Sequence, residues 1–140
     1  MKVVLDTNVL VSGLINVEGV PAQIVNLLVN GRLTVLYDSR MLQEYEEVLV
    51  RKKFGFKKSV ISPIMDYIKN EGEYVTAEPT TRAFRDKDDK MFYEVAKTAK
   101  ARCLVTGNKD HYPKEGIVKS PKEFIEFYLS ENEKQKTEST

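Results

Sequence analysis

Apolar positions along the chain change period several times, and each change marks an element. Val3-Val4-Leu5 is an uninterrupted aliphatic run, the pattern of a central strand buried on both faces. A short helical stretch follows through Leu14, then a Gly19-Val20-Pro21 break. Pro21 suits the first turn of a helix whose stripe, Ile24, Leu27 and Leu28, stops at Asn30-Gly31. Leu33 to Tyr37 predicts a second strand, with Asp38-Ser39 behind it as a helix N-cap. Met41, Leu42, Tyr45, Val48 and Leu49 form the apolar face of a helix from Ser39 to Lys53, ended by Gly55. Val60, Ile61, Ile64, Met65 and Ile68 predict another from Lys57 to Asn70, with Pro63 in its first turns or at a kink. Tyr74-Val75 is a weak strand.

Thr80 to Asp88 reads as a polar loop. The helix after it buries Phe92, Val95, Ala96 and Ala99, and leads to a strand, Arg102-Cys103-Leu104-Val105. A last short strand, Ile117-Val118, feeds a helix from Pro121 to Leu129 that buries Phe124, Ile125 and Tyr128. Ser130 to Thr140 has no apolar side chain, so residues 130–140 are expected to form a disordered tail behind a domain at 1–129. Strands alternating with helices predict an α/β fold, a three-layer α/β/α sandwich around a mainly parallel sheet.

Composition narrows this little. The 140 residues suit one domain, and the formal charge of +1 neither demands nor excludes a nucleic-acid partner. No N-terminal signal pattern and no run of about 18 apolar residues is present, so a soluble cytoplasmic protein is the expectation. Cys103, the only cysteine, lies in an apolar strand and reads as core. His111, the only histidine, removes multi-histidine zinc sites, and no nucleophile motif accompanies it.

The acids are more informative. Asp6 directly follows the first strand, where a parallel sheet collects its ligands and catalytic groups. A short acid there also suits a helix N-cap. Asp110 lies just beyond the strand at 102–105, so two strands present carboxylates at one predicted edge. Asp86, Asp88 and Asp89 open a helix in a pattern that resembles a capping box. Glu44 and Glu46 flank an apolar stripe while Glu47 points away; a solvated face is the ordinary role for each.

Leu5-Asp6-Thr7-Asn8-Val9-Leu10, Ser39 followed five residues later by Glu44, the acidic cluster before a helix containing Ala96, and Leu104-Val105-Thr106-Gly107-Asn108-Lys109-Asp110 resemble the four motifs of PIN-domain ribonucleases. Their order and spacing match up to about Leu129. Arg85-Asp86-Lys87-Asp88-Asp89 is similar to the subgroup of small prokaryotic PIN proteins that act in toxin–antitoxin pairs, the VapC-type toxins. The resemblance implies a PIN-like fold with Asp6, Glu44, Asp89 and Asp110 as metal-binding catalytic acids. Asp88 is the alternative third acid, and Asn8, Ser39, Thr106 and Asn108 are the accompanying polar residues. Lys87 and Lys90 depart from the subgroup, which carries a proline and a further acid in this stretch.

Clustered carboxylates ionise together only with a cation present, and all-oxygen ligands select Mg²⁺ or Mn²⁺. The resemblance therefore implies metal-dependent endonucleolytic hydrolysis of single-stranded or structured RNA, in a homodimeric toxin held by a small antitoxin. The expected division of labour gives Asp6 to the metal and leaves Thr7 and Asn8 to cap the helix. Arg40, Arg85, Lys87 and Lys109 are candidates to track phosphates, although surface charge is the ordinary role for each. Arg51-Lys52-Lys53 and Lys57-Lys58 form the densest basic stretch.

Two other classes compete. A catalytically weak PIN-like module binding RNA or protein fits the lysines of the third motif. A phosphoacceptor domain also places an acid after its first strand. Against it, a dehalogenase-like phosphatase needs a second acid where Asn8 stands, and a receiver needs one at the end of a middle strand, where only Asp38 is found.

Overall fold

The computed structural model describes residues 1–138; positions 139–140 of the expected tail lie outside the described residues. Five strands form one parallel sheet: β1 (Lys2–Leu5), β2 (Thr34–Tyr37), β3 (Glu73–Tyr74), β4 (Cys103–Val105) and β5 (Val118–Lys119), ordered β3-β2-β1-β4-β5. Six α-helices connect and cover them: α1 (Thr7–Ile15), α2 (Val20–Val29), α3 (Ser39–Leu49), α4 (Lys58–Glu71), α5 (Lys90–Thr98) and α6 (Pro121–Glu138). Short 3₁₀ turns at Lys87–Asp89 and Lys109–His111 precede α5 and follow β4.

β1 is central because its side chains tolerate no water on either face. Val3, Val4 and Leu5 are all fully buried. α5 lies over β1, β2 and β4, while α4 packs on β2 and α6 on β4 and β5, with α2 touching both α4 and α6. The result is the expected α/β/α sandwich. Among the described residues no single helix is long and apolar enough to cross a membrane. Cys103 is fully buried, and burial raises its thiol to about 11, which keeps it protonated and inert at neutral pH.

Most boundaries lie within a residue of the sequence reading, and the ends of α3 and α6 differ by more. α3 stops at Leu49 rather than near Lys53, with Val50 as its C-cap and turns following through Phe54. More substantially, residues 130–138, expected to be disordered, continue α6. Glu, Lys and Gln are good helix formers even where nothing apolar is available to bury. The extension is also tied down, because Glu131 accepts an ion pair from Arg102 at 3.0 Å, beside the start of β4.

Gly72 ends α4 where the chain enters β3. A Cβ there would stand 2.3 Å from the Ile68 carbonyl oxygen and 2.7 Å from that of Val35 in β2. Both are backbone atoms of packed elements and cannot swing aside. Gly72→Ala is expected to destabilise the fold by about 2 kcal/mol, the usual scale of overpacking, readable as a lowered urea midpoint at unchanged slope. An unshifted midpoint would show that the α4–β3 junction relaxes freely.

Candidate active site

The pairing of β1 with β4 aligns Leu5 with Val105, so the next residues, Asp6 and Thr106, leave the sheet side by side. Asp6 N–H donates to the Val105 carbonyl at 2.9 Å. The Asp6 carboxylate is buried, and its two oxygens are treated unequally. Oδ2 accepts from the Thr106 hydroxyl and the Tyr112 hydroxyl, each at 2.9 Å. The Thr7 N–H also bonds the carboxylate, and Oδ1 receives a long 3.4 Å contact from the Asn8 N–H. That contact makes Asp6 itself the N-cap of α1, correcting the expectation that Thr7 and Asn8 would take this role. Capping and ligand duty are compatible, since a carboxylate has lone pairs for both.

The neighbours brace the turn instead. Thr7 donates its hydroxyl to Glu44 Oε2, joining β1's end to α3. Asn8 Oδ1 accepts from the Gly107 N–H at 3.0 Å, and the Thr106 hydroxyl accepts from the Asn108 N–H at 3.0 Å. Asn108 thus contributes through its backbone. Ser39 pairs with the Tyr74 hydroxyl at 3.3 Å and bonds none of the acids.

Three acids share one electrostatic environment. Burial is the largest cause of the raised pKa of Asp6, and the Thr106 and Tyr112 hydrogen bonds oppose it. Glu44 is raised first by burial and further by the charges of Asp6, Asp88 and Asp89, against the Thr7 hydrogen bond. Asp89 is raised by burial and by Asp6, with the hydrogen bond to His111 working the other way. Tyr112 is pushed far up, by burial and then by the charges of Asp6 and Asp89, so it remains a hydrogen-bond donor.

Between Asp88 and Asp89 the geometry separates two roles. Asp86 caps the 3₁₀ turn by accepting from the Asp88 N–H at 2.9 Å, as expected. Asp89 makes no cap bond, and its Oδ2 stands 3.1 Å from His111 Nδ1. Asp88 is exposed but near enough to Glu44 for its charge to be felt. Asp110 shares a cavity lining with His111 and Tyr112. It is exposed, engages no described residue, and lines cavities on both sides of the 110–113 segment.

Sequence patterning gave no sign of Tyr112 or of the role of His111. Tyr112 is 5% exposed, and a buried tyrosine hydroxyl needs a polar partner. Its position just past the fourth motif was the available signal. Two of the four basic candidates are also occupied. Arg40 bonds Asp38 at 2.7 Å and Glu94 at 2.9 Å, and Lys109 pairs with Glu123 at 2.8 Å. Arg85 and Lys87 engage no described residue.

Asp6, Glu44 and Asp89 suit a hard cation by chemistry, since all are carboxylates and the charge of Asp6 raises the pKa of the other two. They do not form a closed cage: among the described residues no three His, Cys, Asp or Glu groups converge closely enough to hold an ion. A closed cage is not required of Mg²⁺, which keeps several waters and takes one or two carboxylates directly. The acids therefore fit a hydrated ion.

The family comparison covers most of this framework. The PIN domain family matches residues 2–110, from β1 through the fourth motif. An uncharacterized protein of Methanocaldococcus jannaschii, MJ1680, is 33% identical over 124 residues, covering 79% of this chain and 72% of that protein. No solved structure matches. With the strand order, the acids after β1 and before α5, and the family match all in one register, the chain belongs to the PIN-domain family, whose members are generally nucleases.

Proposed function

We propose that this protein is an endoribonuclease dependent on Mg²⁺ or Mn²⁺, hydrolysing phosphodiester bonds of single-stranded or structured RNA. The observation that carries the proposal is the trio Asp6, Glu44 and Asp89, half-buried or buried, each with a pKa raised in part by burial, two of them raised further by the others' charges. These residues would hold the ion, with Asp88 beside Glu44 and Asp110 as fourth acid by its motif position. When bound, the ion supplies an acidified water and offsets charge building on the phosphodiester. The chain's own groups orient the acids. Thr106 and Tyr112 occupy Asp6 Oδ2 and leave Oδ1 the freer oxygen. Thr7 fixes Glu44, and His111 fixes Asp89.

The third-motif resemblance alone supports a homodimeric toxin restrained by a small antitoxin. A short reading frame for a DNA-binding antitoxin beside the gene is the observation to seek. A second reading, an RNA-binding module without hydrolysis, draws support from the absence of a three-ligand group among the described residues.

One assay separates the two. Purified protein is incubated with a mixture of single-stranded and structured RNAs, with Mn²⁺ or Mg²⁺ and with EDTA. Cleavage that requires the ion is expected. Binding without cleavage in either metal favours the non-catalytic module, and cleavage that persists in EDTA overturns the metal-dependent mechanism.

A further inference from the structure

We propose that the groove bounded by Arg82, Arg85, His111, Tyr112 and Pro113 is a phosphate track that delivers the RNA strand to the acids, an inference that rests on the ribonuclease reading above. The groove is a cavity of about 340 Å³ whose lining also includes Ala83 and Asp110. It abuts the acids through direct contacts. His111, on its wall, bonds Asp89 at 3.1 Å, and Tyr112, also on its wall, bonds Asp6 at 2.9 Å. A strand lying in the groove therefore has two of the three acids behind its wall.

The arginines are held in place although their loop has no regular structure. Phe84, between them in sequence, packs on Tyr93 at 5.4 Å and edge-on against Tyr112 at 6.0 Å. Upstream, the Thr80 N–H donates to Glu94 Oε2 at 2.7 Å, and the Arg82 N–H donates to Thr80 Oγ1 at 3.2 Å. The loop is thus pinned just before Arg82 and again at Phe84, between the two arginines.

Their charges are available. Arg85 engages no described residue. The Arg82 guanidinium has one contact, 3.9 Å from Glu115, a carboxylate already served by Lys97 at 3.2 Å and the Tyr93 hydroxyl at 2.9 Å. The groove lining carries two guanidiniums and one carboxylate, Asp110, and a guanidinium fork matches phosphate oxygens bidentately. The denser basic stretch is placed differently. Arg51, Lys52 and Lys53 follow the C-terminal end of α3, at least seven residues and roughly 10 Å along the chain direction from Glu44.

The test compares wild-type protein, Arg82→Gln/Arg85→Gln and Lys52→Gln/Lys53→Gln, each checked for native circular dichroism. Binding of a fluorescein-labelled single-stranded RNA of randomised sequence is followed by anisotropy in EDTA over a salt series. The groove variant is expected to bind roughly tenfold more weakly, with a salt slope about 1.4 shallower, from about 0.7 per single-strand phosphate contact. The Lys52→Gln/Lys53→Gln variant keeps wild-type affinity to within about twofold. In Mn²⁺ the groove variant raises KM and leaves kcat unchanged, the signature of lost uniform binding. Wild-type binding matched by the groove variant overturns the track and leaves the ribonuclease reading standing. Absence of wild-type RNA binding at low salt overturns both.

Discussion

Asp6→Asn is expected to abolish RNA cleavage while making the metal-free protein more stable at neutral pH. The two effects have one origin. Burial raises the Asp6 pKa above its ordinary value, so the folded protein prefers the neutral acid more than the unfolded chain does. Stability from this group is fully present below the unfolded pKa and is lost as pH rises through the folded one. At neutral pH the native state carries a buried anion, and in the absence of a cation that is a net cost.

Asparagine has the same shape without the charge. Its Oδ1 can take the place of Asp6 Oδ2 and accept from Thr106 and Tyr112, so the bonds at risk are those from the Asn8 and Thr7 backbone N–H groups. The variant should melt higher than wild type in EDTA at pH 7, with the gap closing as pH falls toward the ordinary carboxylate range. Added Mn²⁺ should raise the wild-type melting temperature and leave the variant's unchanged. Cleavage should fall by about a thousandfold, because an ion's share of transition-state charge stabilisation is several kcal/mol and each tenfold is about 1.4 kcal/mol. Retained activity would remove Asp6 from the metal site. A lower melting temperature at pH 7 would show that its charge is stabilised by something other than a cation.

The elements were legible because their periods are strong, and the placement of the site was legible only in part. The apolar run Val3-Val4-Leu5 announced a central strand, but nothing in its pattern says which strand lies beside it. The Leu5–Val105 pairing that sets Asp6 against Thr106 spans about a hundred positions. Such long-range partners are set by packing, which local periodicity does not encode. Asp110 illustrates the limit. It follows β4 closely in sequence, and the 3₁₀ turn at Lys109–His111 leaves it exposed, while the two residues after it, which no pattern singled out, bond Asp89 and Asp6. At 130–138 the inference failed differently. Lack of apolar residues shows that a segment cannot build a core, but a helix extending from an anchored one needs none.

Arg40→Leu is expected to lower stability by about 3 kcal/mol, the bottom of the range for orphaning buried charge, and the melting temperature by roughly 10 °C. Arg40 bridges Asp38, whose side chain is 9% exposed, and Glu94, 5% exposed. Each carboxylate has a second duty: Asp38 caps α3 through the Met41 N–H, and Glu94 receives the Thr80 N–H. Without the guanidinium both buried anions lose their counter-charge. Arg40 itself is half exposed, so water can enter its place, which sets the loss at the lower end. Lysine should restore only part, since one ammonium does not reproduce a fork that engages two carboxylates. Glu94→Gln keeps an acceptor for Thr80 and removes one anion, so Arg40→Leu/Glu94→Gln should lose less than the two single changes summed. Strict additivity would show that no coupling exists. The same bridge joins the start of α3, which carries Glu44, to α5, whose N-terminus carries Asp89. With both of its faces taken by carboxylates, Arg40 should hold those helices in register and bind no phosphate. The salt slope of RNA binding by folded Arg40→Leu should therefore match wild type, and a shallower slope would return Arg40 to the phosphate track.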